Sequence, residues 1–272
     1  MLRFEWQGPF AFATLDRPQA RHALNEQMVS ALRAACDAVT ARPDARALVI
    51  RGSGGQFCAG GDFASFKQLI AEPAPATGPD PITAMNRAFG TLLEALAALE
   101  VPTIAVVEGS AIGGGVGLAV VCDFVLASTT ARFATPEVTL GLPPAQIAAF
   151  VATRIGDVAA RRLLLTGETL DSEEAAALGL VDEVADAAAL DTLLAKRLVT
   201  LGRAEPAALR ETKRLLALRQ RASLAATLDE AARAFTRCLR SGAPLEGMAA
   251  FAQKRDAHWV VVPGADEPRH AS

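Results

Sequence analysis

The chain of 272 residues is poor in the side chains that build metal centres and redox sites. It has four cysteines and three histidines, all far apart and without the short spacings typical of metal ligands. They are Cys36, Cys58, Cys122, Cys238, His22, His258 and His270. The sequence therefore predicts neither a metal site nor a histidine-based triad, and it favours a reducing setting.

Long apolar runs are also missing. No stretch reaches the roughly 20 uninterrupted apolar residues that a membrane span needs. Residues 1–4 open directly into a strand-like pattern, with neither the basic start nor the apolar run of a signal peptide. We therefore expect no membrane partner and a cytoplasmic location.

Positive charge is in slight deficit, with 27 Lys and Arg against 30 Asp and Glu. Nucleic-acid binding depends on clustered Lys and Arg, so a net charge of −3 argues against it. The basic residues Arg210, Lys213 and Arg214 have helical spacing, and no aromatic residue lies among them to stack on bases. We interpret them as a solvated helix face.

Apolar residues, at 51% of the chain, are plentiful enough for one large core. Residues 2–15 alternate as a β-hairpin does, and a helical pattern follows Asn25, a plausible N-cap. Buried strands are predicted at 47–51 and 103–107, each followed by a helical pattern. This alternation predicts an α/β fold with βαβ units.

The pattern changes along the second half of the chain. From about residue 200 it is helical only, near 205–219, 223–240 and 244–257. We therefore expect an α/β core followed by a C-terminal helical region, with a disordered tail from Pro263.

Two glycine-rich turns, at 53–61 and 109–115, each connect a predicted strand to a predicted helix. Such a turn leaves backbone N–H groups unpaired at the start of the helix, and glycine lets a ligand approach them. Two turns of this kind could direct two donors at one oxygen, as an oxyanion hole does. We interpret Cys58, within the first turn, as a small packing residue rather than a reactive thiol.

A single carboxylate follows the second turn. Glu137 comes directly after Pro136, which stiffens the backbone, and lies just beyond a short predicted strand at 124–127. An oxyanion hole for a thioester carbonyl together with one carboxylate could carry out chemistry at the carbons next to that carbonyl.

The joint order of several short motifs resembles that of the enoyl-CoA hydratase/isomerase (crotonase) superfamily over nearly the whole chain. The motifs are Asp16-Arg17-Pro18, Ala23-Leu24-Asn25, Phe57-Cys58-Ala59-Gly60-Gly61-Asp62, Gly113-Gly114-Gly115, Cys122-Asp123, Pro136-Glu137, Leu140-Gly141-Leu142-Pro143 and Phe251-Ala252-Gln253-Lys254-Arg255. The resemblance implies a crotonase-like ββα spiral core with the acyl-CoA site at 1–200. It also implies a C-terminal helical trimerisation region and tail at 201–272, and assembly into homotrimers or homohexamers.

The resemblance places the functional residues as well. The oxyanion donors are the backbone N–H groups of Ala59 and Gly114, and Glu137 is the acid–base residue. The binding residues for coenzyme A are Arg21, Ala23, Ala59, Gly60, Gly61, Asp62, Phe251 and Lys254, the last two reaching a neighbouring subunit. Asp62 is equally a candidate helix N-cap. Coenzyme A is part of the acyl-CoA substrate, so no separate cofactor is expected.

The loop at 72–81 contains four prolines and no apolar periodicity. In this family such a loop often borders the acyl site. We favour a lid over the acyl pocket, with a tolerated surface insertion as the alternative.

One position departs from the family pattern. Two-glutamate hydratases of this family carry a carboxylate where this chain has Gly117, twenty residues before Glu137. A single carboxylate could still hydrate a 2-enoyl-CoA of fatty acid metabolism, with the vacated space holding water or a branched substrate. The segment 140–147 favours this, since it resembles hydratases of branched, carboxylated enoyl-CoAs of the methylglutaconyl and isohexenylglutaconyl type. The alternatives are a Δ3,Δ2-enoyl-CoA isomerase, which needs no activated water, and a non-catalytic CoA-ester or RNA-binding homologue.

Overall fold

The computed structural model of the protein describes residues 1–73, 75, 77–78 and 80–263. Three residues of the predicted loop at 72–81, namely 74, 76 and 79, lie outside this set. The predicted disordered tail also lies outside it, except for Pro263.

A six-stranded sheet forms the centre of the fold. Its strands, in spatial order, are β1 (Leu2–Gln7), β2 (Phe10–Leu15), β3 (Ala47–Gly52), β4 (Thr103–Val107), β6 (Phe124–Ser128) and β9 (Glu183–Ala185). Strands β1 and β2 pair antiparallel, which confirms the predicted hairpin, and all the other neighbours are parallel. The predicted α/β class is therefore correct.

A second, three-stranded sheet contains β5 (Ser110–Ile112), β7 (Arg132–Ala134) and β8 (Thr169–Asp171). Strands β5 and β7 are parallel, and Ile112 pairs with Ala134 at their ends. Helix α4 (Gly114–Val120) follows β5, and a 3-10 turn (Pro136–Leu140) follows β7. This register places the second glycine turn and the candidate carboxylate side by side.

Nine further helices surround the sheets or pack on neighbouring helices in the described part of the chain. They are α1 (Glu26–Thr40), α2 (Phe63–Ala71), α3 (Pro81–Ala98), α5 (Ala148–Thr166), α6 (Ser172–Ala177), α7 (Ala187–Gly202), α8 (Pro206–Arg219), α9 (Leu224–Arg240) and α10 (Ala243–Gln253). Asn25 caps α1 as predicted, because its side chain accepts from the Met28 N–H. Within the described ranges, none of these helices is long and apolar enough to cross a membrane.

The large sheet is buried on both faces, as expected of parallel strands. Along β3, Leu48 and Ile50 point to the main core, which α1, α3, α4 and α5 complete. Ala47 and Val49 point to the opposite face, where leucines of α7 cover them. Helix α7 ends at Gly202, and the predicted boundary near residue 200 stays a prediction.

The basic residues of α8 do not form the predicted solvated face. Arg210 donates to carbonyl groups of the loop before β3, and Lys213 forms an ion pair with Asp123 at 2.6 Å. Arg214 pairs with glutamates of α8 and α9. The interpretation was wrong because helical spacing alone does not show which side of a helix packs on the core. All three side chains are engaged within the chain.

Candidate active site

The first glycine turn passes between two segments that hold it on both sides. Toward β5, the Cys58 N–H donates to the Ser110 carbonyl at 2.9 Å. On the other side, the Leu24 N–H donates to the Gly60 carbonyl at 2.7 Å, and the Asp62 N–H donates to the Leu24 carbonyl at 3.1 Å. The backbone of the turn is thus fixed before any ligand binds.

The Ala59 N–H is not free to act as an oxyanion donor. It donates to the carbonyl of Arg21 at 3.0 Å. The next N–H, of Gly60, points at the Cys58 sulfur. The predicted role of Ala59 is therefore wrong, because the fold uses this donor to fix the turn against the Arg21 segment.

Gly61 provides a free donor next to these two residues. Its N–H has no acceptor among the residues that the structure describes. In a trans peptide the N–H points opposite to the carbonyl, and the Gly60 carbonyl is bound to Leu24, so this N–H points away from Leu24. The start of α4 adjoins the turn, since a Cβ on Gly60 would lie 3.5 Å from the Gly114 nitrogen. Residue types alone could not show which of three consecutive N–H groups is free.

The second donor lies at the first position of α4. Gly113 precedes it with φ of 51°, a conformation that favours glycine. The Gly114 N–H has no acceptor within the described part of the chain. Two free backbone donors, of Gly61 and Gly114, therefore belong to adjacent turns.

Glu137 lies against this second turn. A Cβ on Gly113 would lie 2.6 Å from Glu137 Oε1, so the carboxylate packs directly on that glycine. Its Oε2 is buried and has no hydrogen-bond partner among the described residues. Burial raises the pKa of Glu137 above its ordinary value. An unpartnered carboxylate with a raised pKa beside two free N–H groups suits a general acid–base.

The space over Gly117 is not vacant, as the sequence had led us to expect. A Cβ at this position would overlap the γ2 methyl group of Ile147, and it would lie 3.5 Å from Cζ of Phe89. The prediction of a water-sized or branch-sized gap is therefore wrong. An apolar side chain from a distant part of the sequence occupies the place of the second carboxylate.

The neighbouring surface is apolar too. A Cβ on Gly114 would lie 3.0 Å from Cδ1 of Leu24 and 3.3 Å from Cζ of Phe89. Phe89 therefore touches both ends of the first turn of α4. Leu24, Phe89 and Ile147 thus provide an apolar lining along the first turn of α4, beside the Gly113 on which Glu137 packs.

The carboxylate of Asp62 makes two interactions within the chain. It accepts from the Ala64 N–H as the N-cap of α2 and pairs with Arg17 at 2.5 Å. Burial alone would raise the pKa of Asp62, but these bonds outweigh it and hold the pKa below its ordinary value. The predicted helix cap is confirmed, and the predicted part of Asp62 in coenzyme A binding stays a prediction.

The other residues predicted to bind coenzyme A lie in two separate parts of the chain. The Ala23 carbonyl accepts from Arg17 at 3.2 Å, so only its second lone pair is available to a ligand. Arg21 is exposed, with φ of 46°, and borders the first turn. Phe251, 88% exposed, and Lys254 lie at the end of α10, which packs on α9. Their predicted roles stay predictions.

Arg17 is a structural residue that the sequence did not reveal. It lies in a motif quoted for the resemblance. No pattern indicated that it binds Ala23, six positions away, and Asp62, 45 positions away. Next to it, His22 is fully buried and accepts from the Arg17 N–H through Nδ1. Its Nε2 lies 2.9 Å from the Ser53 carbonyl, which requires the Nε2–H tautomer.

We expect Arg17→Met to lower the free energy of unfolding by about 2–3 kcal/mol, because it leaves a largely buried carboxylate without its charged partner. Arg3→Met is the matched control, since Arg3 pairs with Asp16 at the surface and should lose less than about 1 kcal/mol. Urea unfolding measures both. The loss should shrink as pH falls through the depressed pKa of Asp62, and equal losses for the two variants would contradict the assignment.

Cys58 is a packing residue, as interpreted. It is fully buried, burial raises its pKa to about 12, and its thiol donates to the His22 carbonyl at 3.3 Å. Among the residues that the structure describes, no three His, Cys, Asp or Glu side chains are grouped to hold a metal ion.

Comparison with known proteins agrees with this geometry. Residues 6–261 match the family described as Enoyl-CoA hydratase/isomerase. A probable enoyl-CoA hydratase (echA8) of Mycobacterium bovis is 38% identical over 243 residues, which cover 89% of this chain and 91% of that protein.

Two solved structures are similar throughout. An enoyl-CoA hydratase/isomerase from Marinobacter aquaeolei superposes with a TM-score of 0.91 at 40% identity, and AtuE of Pseudomonas aeruginosa with 0.90 at 43%. Each comparison covers 96% of this chain and 99% of the other. The family match and these relatives therefore identify the chain as an enzyme of the enoyl-CoA hydratase/isomerase (crotonase) family.

Proposed function

We propose that the protein adds water across the α,β double bond of a 2-enoyl-CoA. The observation that carries the proposal is the buried, unpartnered Oε2 of Glu137 beside the two free N–H groups of Gly61 and Gly114. These donors would bind the thioester oxygen and stabilise the negative charge that develops on it when a nucleophile attacks the β carbon. The proposed reaction needs no cofactor, because coenzyme A enters with the substrate.

A single carboxylate can complete this reaction. Glu137 takes a proton from water while the hydroxide oxygen bonds to the β carbon and the electron pair of the double bond moves toward the thioester oxygen. The resulting enolate then takes the same proton from Glu137 at the α carbon, which leaves the carboxylate as it began. The raised pKa of Glu137 suits a group that must both accept and donate a proton.

Within this class, we propose an acyl group that carries a branch or a second carboxylate. With Gly117 in place of a glutamate, one negative charge fewer would face a carboxylated substrate. The amide of Gln146, which directly precedes Ile147, is joined to the amide of Asn86 at 2.7 Å, and these amides could donate to such a group. The exposed side chains of Leu140 and Leu142 offer apolar contact to a branch.

One observation favours Δ3,Δ2-isomerisation as the second candidate. The γ2 methyl group of Ile147 fills the place of the second carboxylate, so a methyl group and not a carboxylate lies where a second acid–base group would hold the water molecule. An isomerase needs no such water, because one carboxylate can move a proton between the α and γ carbons.

We also propose that the chain assembles as a homotrimer or a pair of trimers. The support is a set of large apolar side chains that α9 and α10 leave exposed. Monomeric proteins rarely expose so many together, and such a patch marks a surface for protein–protein contact. These side chains are Leu224, Leu228, Phe235, Leu239, Leu245, Met248 and Phe251. Such an assembly would give Phe251 and Lys254 a neighbouring subunit to contact.

Three substrates separate these functions. We expect a carboxylated, branched 2-enoyl-CoA such as 3-methylglutaconyl-CoA to be hydrated faster than crotonyl-CoA, and both faster than a 3-enoyl-CoA is isomerised. Loss of the enoyl-thioester absorbance measures hydration, and product analysis measures isomerisation. Fast turnover of the 3-enoyl-CoA without hydration of either 2-enoyl-CoA would replace hydration by isomerisation. Equal or faster hydration of crotonyl-CoA would contradict the proposed acyl group.

A further inference from the structure

Residues 141–147 dock on the core through two consecutive side chains, each seated on a glycine. The carboxamide of Gln146 lies on Gly90 of α3, where any Cβ would overlap it. Ile147, only 3% exposed, lies on Gly117 of α4 in the same way. Two glycines on two helices thus form the seats for one segment.

The Gly117 seat is close to the reacting atoms. Gly113, the N-cap of α4, and Gly117 are four residues apart, so they lie about one turn, or ~5.4 Å, apart along the helix. Glu137 packs on the first of these glycines and Ile147 on the second. A thioester oxygen bound at Gly114, with its α carbon at Glu137, would leave the β carbon facing Ile147.

We propose that Ile147 is a specificity-determining residue, forming an apolar wall beside the β carbon of the acyl group, and that Gly117 serves to seat it. The inference rests on the proposed binding of an acyl-CoA. The site then differs from that of a two-glutamate hydratase in the origin of one side chain. Helix α4 has no side chain at Gly117, and Ile147 of the following segment occupies that space.

This construction makes the two positions interdependent. A Cβ at Gly117 overlaps Cγ2 of Ile147 but lies 3.4 Å from its Cβ, which is close to ordinary contact. Alanine at 117 should therefore be accepted when residue 147 is alanine. It should be rejected when residue 147 is isoleucine or valine, since both retain two γ carbons.

The first experiment is a set of melting temperatures. We expect Gly117→Ala to lower Tm by about 3–10 °C in the wild-type background and also beside Ile147→Val. Beside Ile147→Ala, the same change should lower Tm by no more than about 1–2 °C, because the atom it would meet is gone. An equal loss in all three backgrounds would overturn the proposed seat.

The second experiment tests specificity without any reaction. Butyryl-CoA and isovaleryl-CoA have no double bond and differ by one methyl group on the β carbon. We expect Ile147→Ala to shift the ratio of their dissociation constants by about tenfold in favour of isovaleryl-CoA, as expected for one methyl group in an apolar pocket. Ile147→Val is the matched control and should leave the ratio nearly unchanged, because it keeps the γ carbons.

The outcomes are separable. An unchanged ratio in Ile147→Ala, with both thioesters still bound, would overturn the specificity role and leave the proposed hydration intact. If wild-type protein bound neither thioester, the proposed acyl-CoA function itself would fail, and the inference with it. Calorimetry on the folded variants provides the dissociation constants.

Discussion

Replacement of Glu137 by glutamine should reduce kcat by about 10²–10⁴-fold while leaving acyl-CoA binding nearly unchanged. Glutamine keeps the shape of the side chain but can neither take nor return a proton at neutral pH. Glu137 Oε2 is buried and without a partner among the described residues, so no neighbouring group there shares its proton. Turnover of the best 2-enoyl-CoA and calorimetric binding of its saturated analogue measure the two effects.

Glu173→Gln is the matched control, because Glu173 is exposed in the first turn of α6 and should have no effect. Glu137→Asp is informative as well, since it keeps a carboxyl group but moves it back by one methylene group. It should retain more activity than Glu137→Gln. Near-normal turnover of Glu137→Gln would disprove the assignment.

Glu137→Gln should also raise the thermal stability of the protein. Burial raises the pKa of Glu137 above its ordinary 4.5, so the folded state disfavours the charged form. This loss of stability is absent below pH 4.5 and develops as pH rises through the folded-state pKa. Glu137→Gln lacks the charge, so it should melt higher than wild type at pH 7 and equally at low pH. Thermal melts across this range measure the difference.

Most of the fold could be predicted from local pattern. The hairpin at 2–15, the strand at 103–107 and the Asn25 cap follow from alternation, β-branched content and a side chain of known capping preference. The orientation of α8 could not, because Lys213 binds Asp123 from ninety positions away and no local pattern encodes that pairing.

The candidate site also has features that the sequence could predict and features that it could not. Motif order was enough to select Glu137 and Gly114. It did not distinguish Gly61 from Ala59, since the choice depends on which N–H is already bound to Arg21 across the turn. Nor did it place Ile147 over Gly117, because a glycine carries no information about the neighbour that fills its space. Both errors concern long-range packing around the segments that the motifs selected.

Replacement of Gly114 by proline should lower kcat by about 10²–10³-fold, because it removes one oxyanion donor. Proline is well accepted at the first position of a helix, where its missing N–H has no helical partner, so α4 should persist. The added ring would approach Leu24 and Phe89, which makes a steric control necessary.

Gly114→Ala provides that control, since it adds the same Cβ and keeps the N–H. A Cβ at this position would meet only the ends of the Leu24 and Phe89 side chains, at 3.0 and 3.3 Å, and both can shift by a few tenths of an ångström. We therefore expect Gly114→Ala to lose much less activity than Gly114→Pro at similar melting temperatures. Equal losses in kcat would mean that the space over Gly114, and not its N–H, is what the reaction needs. A folded Gly114→Pro protein with wild-type turnover would remove Gly114 from the oxyanion hole.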